Sequence, residues 1–588
     1  MYEIGSAKTD ITCFIPDVGM MGYGIYDNRV EEIETPLHAR AFVIHDPDND
    51  TTLAFVSAEI CFISPAIKRG VIEQLVQKHP QIPLSDESVM LTAQHTHSGP
   101  GGYNHYPLYN FTVPGFMPEI FNGIVDGITK AIALAYESRT AATAGLNRGE
   151  FSVDIDVACN RSVHAYLSNP ETESLNSPDK HLAVDRHMDL MRFDETGGGS
   201  IGAISWFGVH PTNLGNDNRS ICGDNKGFAA NFMEATINNS PSATDFVAAF
   251  AQASAGDISP RTHPGETRRL WSGRFSDEIE SAKYNGQLQF EKAYELFESM
   301  HSGTEIHGDL DYGLAYVDFS DVTADPKFTG GKENCRTGSA CLGAAFFGGT
   351  TDGPGMPPLV RLFVVGICRV LYGWDLLRSR FVSAKRRQDI LRKYRVHGNK
   401  IIVSESGERR FLGSRRLAVT LLPRFLDRGF AEVKRQLKLG ALEEHTWTPH
   451  VLPVQILIIG QVALIGIPGE TTTIAGQRIR ESVLTTLKTR GIETVIACPY
   501  ANAYCGYLTT HQEYQHQAYE GGHTVFGTWT LAAFQTKICQ LATELTKPSE
   551  QREISSIPEP IFSERELSLR TGTAGRQDTA NNNATDDH

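Results

Sequence analysis

The sequence predicts an α/β fold built on mixed sheets, and three observations predict it. Short runs rich in β-branched and aromatic residues recur along the chain, separated by longer stretches with helical apolar spacing. The composition is that of a packed domain, with 40% hydrophobic and 21% charged residues among 588, enough to bury a core without disulfide staples. No repeat at a solenoid or propeller period breaks the alternation. In order, 39–46 and 52–60 read as buried strands, and 65–79 as a helix opened by Pro65. Residues 88–97 read as a strand running into the loop SGPGGY, and 116–137 as a long amphipathic helix. Strands follow at 202–207, 246–251, 454–459, 462–467 and 494–497, with helices at 277–300, 475–488 and 528–546. These elements place one α/β domain over residues 1–547.

Two segments stand apart. Residues 359–446 read as a basic, partly helical insertion: 359–440 alone holds 20 Lys and Arg against 6 Asp and Glu, in a chain of net charge -15. The overall acidity argues against general nucleic-acid binding. The local basic excess suits either a solvated helical face or an anionic membrane surface. The tail, 548–588, is polar and is expected to be disordered. Ten cysteines include no CxxC pair, which excludes zinc-ribbon and thioredoxin motifs. Cys335 with Cys341, or Cys498 with Cys505, are candidate bridges that spacing alone does not decide. The N-terminus, MYEIGSAKTDIT, lacks a signal-peptide pattern, and no apolar run approaches the ~20 residues of a membrane span.

Five motifs carry chemistry. In QHTHSGPGGY, His95 and His97 lie two apart at a strand end, which would turn both imidazoles to one face. That arrangement suits a metal held by one or both, or one ligand beside an acid–base group. His210 follows a buried strand in GVHPTN, with Asp224 and Asn225 close behind in sequence. Ser259 stands in GDISP, where flanking turn residues would expose a hydroxyl to a cleft. Glu470 lies at a strand-to-helix junction in IPGET, where a carboxylate also suits a helix N-terminus. Tyr504, Tyr507 and Tyr519 cluster in what reads as a polar loop.

In this order the motifs resemble the neutral ceramidases, zinc-dependent amidases that hydrolyse ceramide to sphingosine and a fatty acid. The resemblance runs from about residue 4 to 546. It includes the DIT and MGYG segments, HTHSGPGGY, NRSVHAYLSNP (160–170), GVHPTN, GDISP, FFGGTTDGPG (346–355), the stretch 450–470 and AYCGYLTTHQEYQHQAYEGGHTVFG (503–527). It implies a zinc-hydrolase catalytic domain with one Zn2+ per chain, held by His95, His210, Glu470 and Tyr507. It implies His97, Arg161, Ser259 and Tyr519 as the remaining active-site residues. Zinc would lower the pKa of a bound water. Tyr519, with Arg161 or His97, would stabilise the oxyanion, and His97 would shuttle a proton to the leaving amine. Ser259 either positions a substrate hydroxyl or acts as nucleophile.

The resemblance also implies ceramide or a related N-acyl sphingoid lipid as substrate, and a secreted or membrane-peripheral setting. An amidase for another N-acyl lipid or amine, and a non-catalytic lipid-binding relative, are the alternatives. The chain departs from the family pattern in three places. The C-terminal immunoglobulin-like domain is expected to be missing, Arg261 stands where Asn is common after GDxSP, and 359–446 is longer and more basic. Contact of 359–440 with an anionic membrane is expected through Lys385, Arg386, Arg387, Arg415, Arg416 and the apolar runs 362–368 and 417–422.

Overall fold

The computed structural model describes the chain except residues 114, 174, 176–178, 240–244, 266–269, 415–427 and 573–588. Its frame is two mixed sheets stacked face to face between helices. The larger sheet comprises β1 (Tyr2–Asp10), β2 (His38–Asp46), β3 (Thr51–Ala58), β4 (Val89–Ala93), β5 (Thr140–Glu150), β6 (His187–Glu195), β7 (Ser200–Phe207), β8 (Val247–Gln252) and β9 (Thr304–Ile306). Its order is β8-β7-β6-β5-β1-β2-β3-β4, with β9 on β5; only β7/β8 and β3/β4 are parallel. The smaller sheet, β10 (Leu310–Asp318), β11 (Val451–Ile459), β12 (Val462–Gly466) and β13 (Thr494–Cys498), keeps that order and is parallel only at β12/β13.

Side-chain alternation explains the layering. On β2, Phe42 and Ile44 join Leu457 and Ile459 of β11 in the core shared by the two sheets. Ala39, Ala41 and Val43 point the other way, onto α1 (Pro65–Lys78) and α2 (Pro118–Glu137). The far half of the larger sheet is covered by α3 (Asp224–Asn238) and α4 (Glu278–Glu298). The smaller sheet is covered by α7 (Thr473–Leu487) and α8 (Thr530–Leu545). Because both faces of each sheet are covered, central strands such as VLPVQILII are buried at every position. A buried ion cluster ties α3 to the sheet: Arg40 meets Glu59 and Glu234, and Lys8 meets Glu234. Burial alone would raise the Glu59 carboxyl, but Arg40 beside it brings it down to about 2.

The basic region 359–446 contributes α5 (Pro358–Arg378) and α6 (Ala384–His397), then a strand, Ile402–Glu405, that pairs with Leu342–Gly343. Arg415, Arg416 and the run 417–422 lie outside the described residues.

The structure departs from the sequence reading in four places. The strand expected over 88–97 ends at Ala93, so His95 and His97 sit in a loop and owe their proximity to loop geometry. The tail does not detach at Pro548: α9 (Glu564–Arg570) docks, with Phe562 packed on Tyr106 and Arg570 donating to the His105 carbonyl. A few anchors in a polar stretch suffice, and composition averages them away. The tyrosine cluster is walled in apolar side chains, Tyr504 stacking on Phe62. All ten cysteines are free thiols, so neither candidate bridge forms.

Candidate active site and metal centre

Three parallel strand pairs aim their carboxyl ends at one place. His95 and His97 follow β4, His210 follows β7, Asp257 and Ser259 follow β8, Glu470 follows β12, and Tyr504 and Tyr507 follow β13. In open α/β sheets the crevice beyond these ends is where ligands bind. The loops are held by main-chain bonds: His95 N–H donates to the Ile60 carbonyl, and His210 N–H to that of Ile258. Gln252, at the end of β8, joins the two histidine loops by donating to the Gln94 and Val209 carbonyls. His95 has φ +80°, a left-handed conformation that a non-glycine residue adopts only under constraint. Gly22 of the MGYG segment also has positive φ, and a Cβ there would lie 2.4 Å from the His97 ring.

His95, His210 and Glu470 converge, with ligand-type atoms all within 4.8 Å of one another. His95 Nδ1–H donates to the Cys61 carbonyl and His210 Nδ1–H to the Ile258 carbonyl at 2.9 Å. That leaves each Nε2 with a lone pair facing Glu470, at 3.5 and 3.2 Å. His210 Nε2 is buried without an aligned hydrogen-bond partner, and the Nε2 atoms of His95 and His97 stand 3.1 Å apart. Burial holds the His95 imidazole neutral, down to about 4. Burial opposes charge on Glu470 as well, whereas the Tyr504 hydroxyl that donates to it favours the carboxylate. Two imidazoles and one carboxylate converging in this way form a donor set that fits zinc. Tyr507 enters by strand register: Glu470–Thr471 runs parallel to Tyr507–Leu508, with Glu470 directly opposite Tyr507. A second group, Glu444, His445 and Glu566, is partly exposed, and its Glu566 is already paired with Arg570.

The other expected residues form a ring beside this centre. The strands Cys159–Asn160 and Ile258–Ser259 pair antiparallel, which sets Arg161 opposite Asp257, whose carbonyl accepts its amide, and Asp352 joins Arg161 to Ser259. Arg161 donates to Glu520, Asp352, the Gly256 carbonyl and, at 2.8 Å, the Tyr507 hydroxyl. Ser259 is not in an exposed turn. It is fully buried, and its hydroxyl donates to Asp352 rather than lining the cavity. Tyr519 stands edge-on to Tyr507, 5.7 Å between ring centres, with its hydroxyl pushed up by burial. Arg261 is buried and bonded to the Thr212 and Asn213 carbonyls, bracing the His210 loop. Asp224 accepts from the Asn213 and Leu214 amides and has the same bracing role.

Sequence reasoning missed several residues. Tyr500 donates to Glu470, as does Tyr504, which the sequence offered only as part of a tyrosine cluster; Asp352 joins Arg161 to Ser259, and His523 lines the cavity with neither ring nitrogen bonded. The TTDGPG and EGGH contexts were visible, but nothing local marked Asp352 or His523 as facing the other motifs.

The centre forms the floor of a cavity of about 450 Å³. Its polar end holds His95, His97, Glu470, Tyr507 and Tyr519, while Phe62, Phe111, Phe347, Met356 and Trp447 line the remainder. A polar floor with a candidate metal-binding group beneath apolar walls, on mixed sheets closed by helices, fits a hydrolase for an apolar substrate. The chain belongs to the neutral/alkaline non-lysosomal ceramidase family, whose N-terminal-region model matches residues 2–411 and 431–536. It is 34% identical over 576 residues to a neutral ceramidase of Pseudomonas aeruginosa, covering 97% of this chain and 76% of that one. With a neutral ceramidase of Mycobacterium tuberculosis the identity is 32%, covering 97% and 81%. The crystal structure of the Pseudomonas aeruginosa neutral ceramidase superposes with a TM-score of 0.76 at 31% identity, covering 97% of this chain and 78% of that one. A ceramidase complexed with C2 gives 0.77 at 33% identity, covering 95% and 77%.

Proposed function

We propose that this chain hydrolyses the N-acyl bond of ceramide to sphingosine and a free fatty acid, as a zinc amidase. The observation that carries the reading is the convergence of His95, His210 and Glu470 on the floor of an apolar cavity. The names of the relatives support the substrate class. His95, His210, Glu470 and Tyr507 would hold one zinc ion, which when bound supplies Lewis acidity and an acidified water near neutral pH. Residues 1–547 act as one catalytic domain, with 359–446 inserted in it.

The remaining steps belong to side chains. Water adds to the amide carbonyl carbon, and charge develops on the carbonyl oxygen, where the Tyr519 hydroxyl donates. Arg161 fixes the Tyr507 hydroxyl by its 2.8 Å bond and keeps positive charge beside that oxygen. His97 Nε2 takes a proton from the attacking water and passes it to the nitrogen as the C–N bond breaks, releasing the sphingoid amine and the carboxylic acid. Ser259 acts through Asp352, which its hydroxyl bonds, as a positioning residue and not as nucleophile. The apolar walls exclude bulk water and hold the acyl chain.

Metal analysis together with fatty-acid release from a short-chain fluorescent ceramide tests this reading. One zinc per chain and measurable release are expected. Tyr519→Phe should lower kcat by roughly 100-fold at unchanged zinc content. A parent enzyme that holds zinc but leaves the ceramide intact would overturn the substrate assignment.

A further inference from the structure

The helix α5 is mostly apolar, yet among the described residues only one side of it is covered. Val364, Val365 and Cys368 face the body, packed with Ala344 and Val403. The other side presents Leu359, Phe363, Val370, Trp374 and Leu377, whose spacings of three, four and seven residues define one helical face. Of these, Leu359, Phe363, Val370 and Trp374 are 81%, 69%, 72% and 60% exposed, and Phe381, just beyond the helix, is 82% exposed. A Cβ added at Gly366 or Gly373, on the same face, would meet no described atom within 4 Å, so among the described residues the face is open. Single exposed apolar residues need no explanation, but a contiguous face of large ones marks a docking surface.

Charge and position choose the occupant. Residues 358–395 hold ten Lys and Arg against two Asp. Arg378, Arg380, Lys385, Arg386 and Arg387, on either side of Phe381 in the chain, are all exposed. A second copy meeting this face in a two-fold dimer would oppose like charges, whereas anionic lipid headgroups complement them. The helix begins at the cavity: Met356 lines it together with His95 and Glu470, and Pro358 and Arg361 line the adjoining groove with Arg161 and Tyr519. No described helix is long and apolar enough to cross a membrane, and an exposed apolar face flanked by basic residues suits a helix that would lie along a bilayer surface.

We propose that the outer face of α5, with Phe381, seats in the interface of an anionic lipid bilayer and brings the cavity mouth to its lipid substrate. The choice of a bilayer rests on the lipid-amidase reading above, but binding is measured without turnover, so the two can fail separately. The full chain should co-sediment with phosphatidylcholine vesicles containing phosphatidylglycerol. It should do so more weakly with phosphatidylcholine alone or in added salt. Phe363→Glu combined with Trp374→Glu should weaken binding by roughly tenfold or more. Lys385→Glu, Arg386→Glu and Arg387→Glu together should remove the preference for anionic vesicles. Both variants should keep the parent melting temperature and the parent rate on a water-soluble short-chain substrate. Parent-level vesicle binding by the Phe363/Trp374 variant, or no binding by the parent, would overturn the proposal. So would a parent dimer dissociated by these substitutions. Vesicle binding without fatty-acid release would instead sink the catalytic reading and leave docking standing.

Discussion

The cavity floor and the α5–α6 hairpin are opposite solutions to placing polar and apolar groups. At the floor, charged side chains are taken out of water and each is tied to several others: Arg161 serves four acceptors, and Glu470 faces two imidazoles and two tyrosine hydroxyls. On the hairpin, large apolar side chains stand in solvent beside unburied basic ones. A buried network of this kind is costly to leave half-satisfied, so substitutions there should propagate. A solvated face loses little when changed, unless it meets a partner.

The largest expected effect is at Glu470. Glu470→Gln removes the carboxylate on which His95 and His210 converge, while keeping its volume. Hydrolysis should fall by roughly 10,000-fold, and metal analysis should show the zinc lost while the fold is retained by circular dichroism. Full zinc content with near-parent turnover would mean that the floor is a structural polar cluster.

Next comes Arg161. Arg161→Ala strands Asp352 and Glu520, both nearly fully buried. Breaking a buried ion pair from one side costs about 3–5 kcal/mol, measurable by urea unfolding. Because the same side chain bonds Tyr507, activity should fall even at temperatures where the variant is fully folded. A loss of less than about 1 kcal/mol would place this network in the class of surface ion pairs.

How much of this was legible in the sequence follows the same division. His95, His210 and Glu470 could be singled out because each follows a buried apolar run and carries Gly or Pro punctuation nearby. Strands covered on both faces leave an unmistakable apolar signature, so the α/β class was visible too. Partners were not. Tyr500, Tyr504 and Asp352 reach the floor from distant segments, and their placement depends on sheet stacking that no local pattern encodes. The left-handed φ at His95 is equally invisible, which is why the two histidines read as a strand pair. The tail was misjudged because Phe562 and Arg570 anchor it with too few residues to shift its composition. The basic insertion showed its charge, but not which apolar side chains of 362–368 face outward: Leu362 and Phe363 do, and Val364 and Val365 do not.

A smaller effect is expected beneath the floor, at Lys226. Its ammonium is fully buried, donating to the carbonyls of Phe207 and Ala251 and to Gln289, and burial lowers it from 10.5 to about 7. With the folded value depressed, the unfolded chain binds more protons between pH 7 and 10.5. Stability from this group is therefore full above about pH 10.5 and lost as pH falls through about 7. Lys226→Met removes the titration, so parent stability minus variant stability should rise with pH across that window. At about 1.4 kcal/mol per unit, the rise is on the order of 5 kcal/mol at most. Parallel curves in urea unfolding at pH 7 and pH 10 would show that Lys226 remains charged in the fold.

The smallest effect is on the hairpin, and its sign is the point. Gly366 and Gly373 sit within α5 with open space where a Cβ would go. Glycine inside a helix is less favourable than alanine by about 1 kcal/mol, because more backbone freedom is lost on folding. Gly366→Ala and Gly373→Ala should therefore each stabilise the protein by about that amount, with turnover of a water-soluble substrate unchanged. The same substitution at Gly22 should do the reverse, since φ is +133° there and the new Cβ would lie 2.4 Å from the His97 ring. Melting temperatures and short-chain turnover of the three variants check both signs at once. Destabilisation at Gly366 or Gly373 would mean that this face of α5 is packed against something in solution, and the contrast between a bonded floor and an open hairpin would fail.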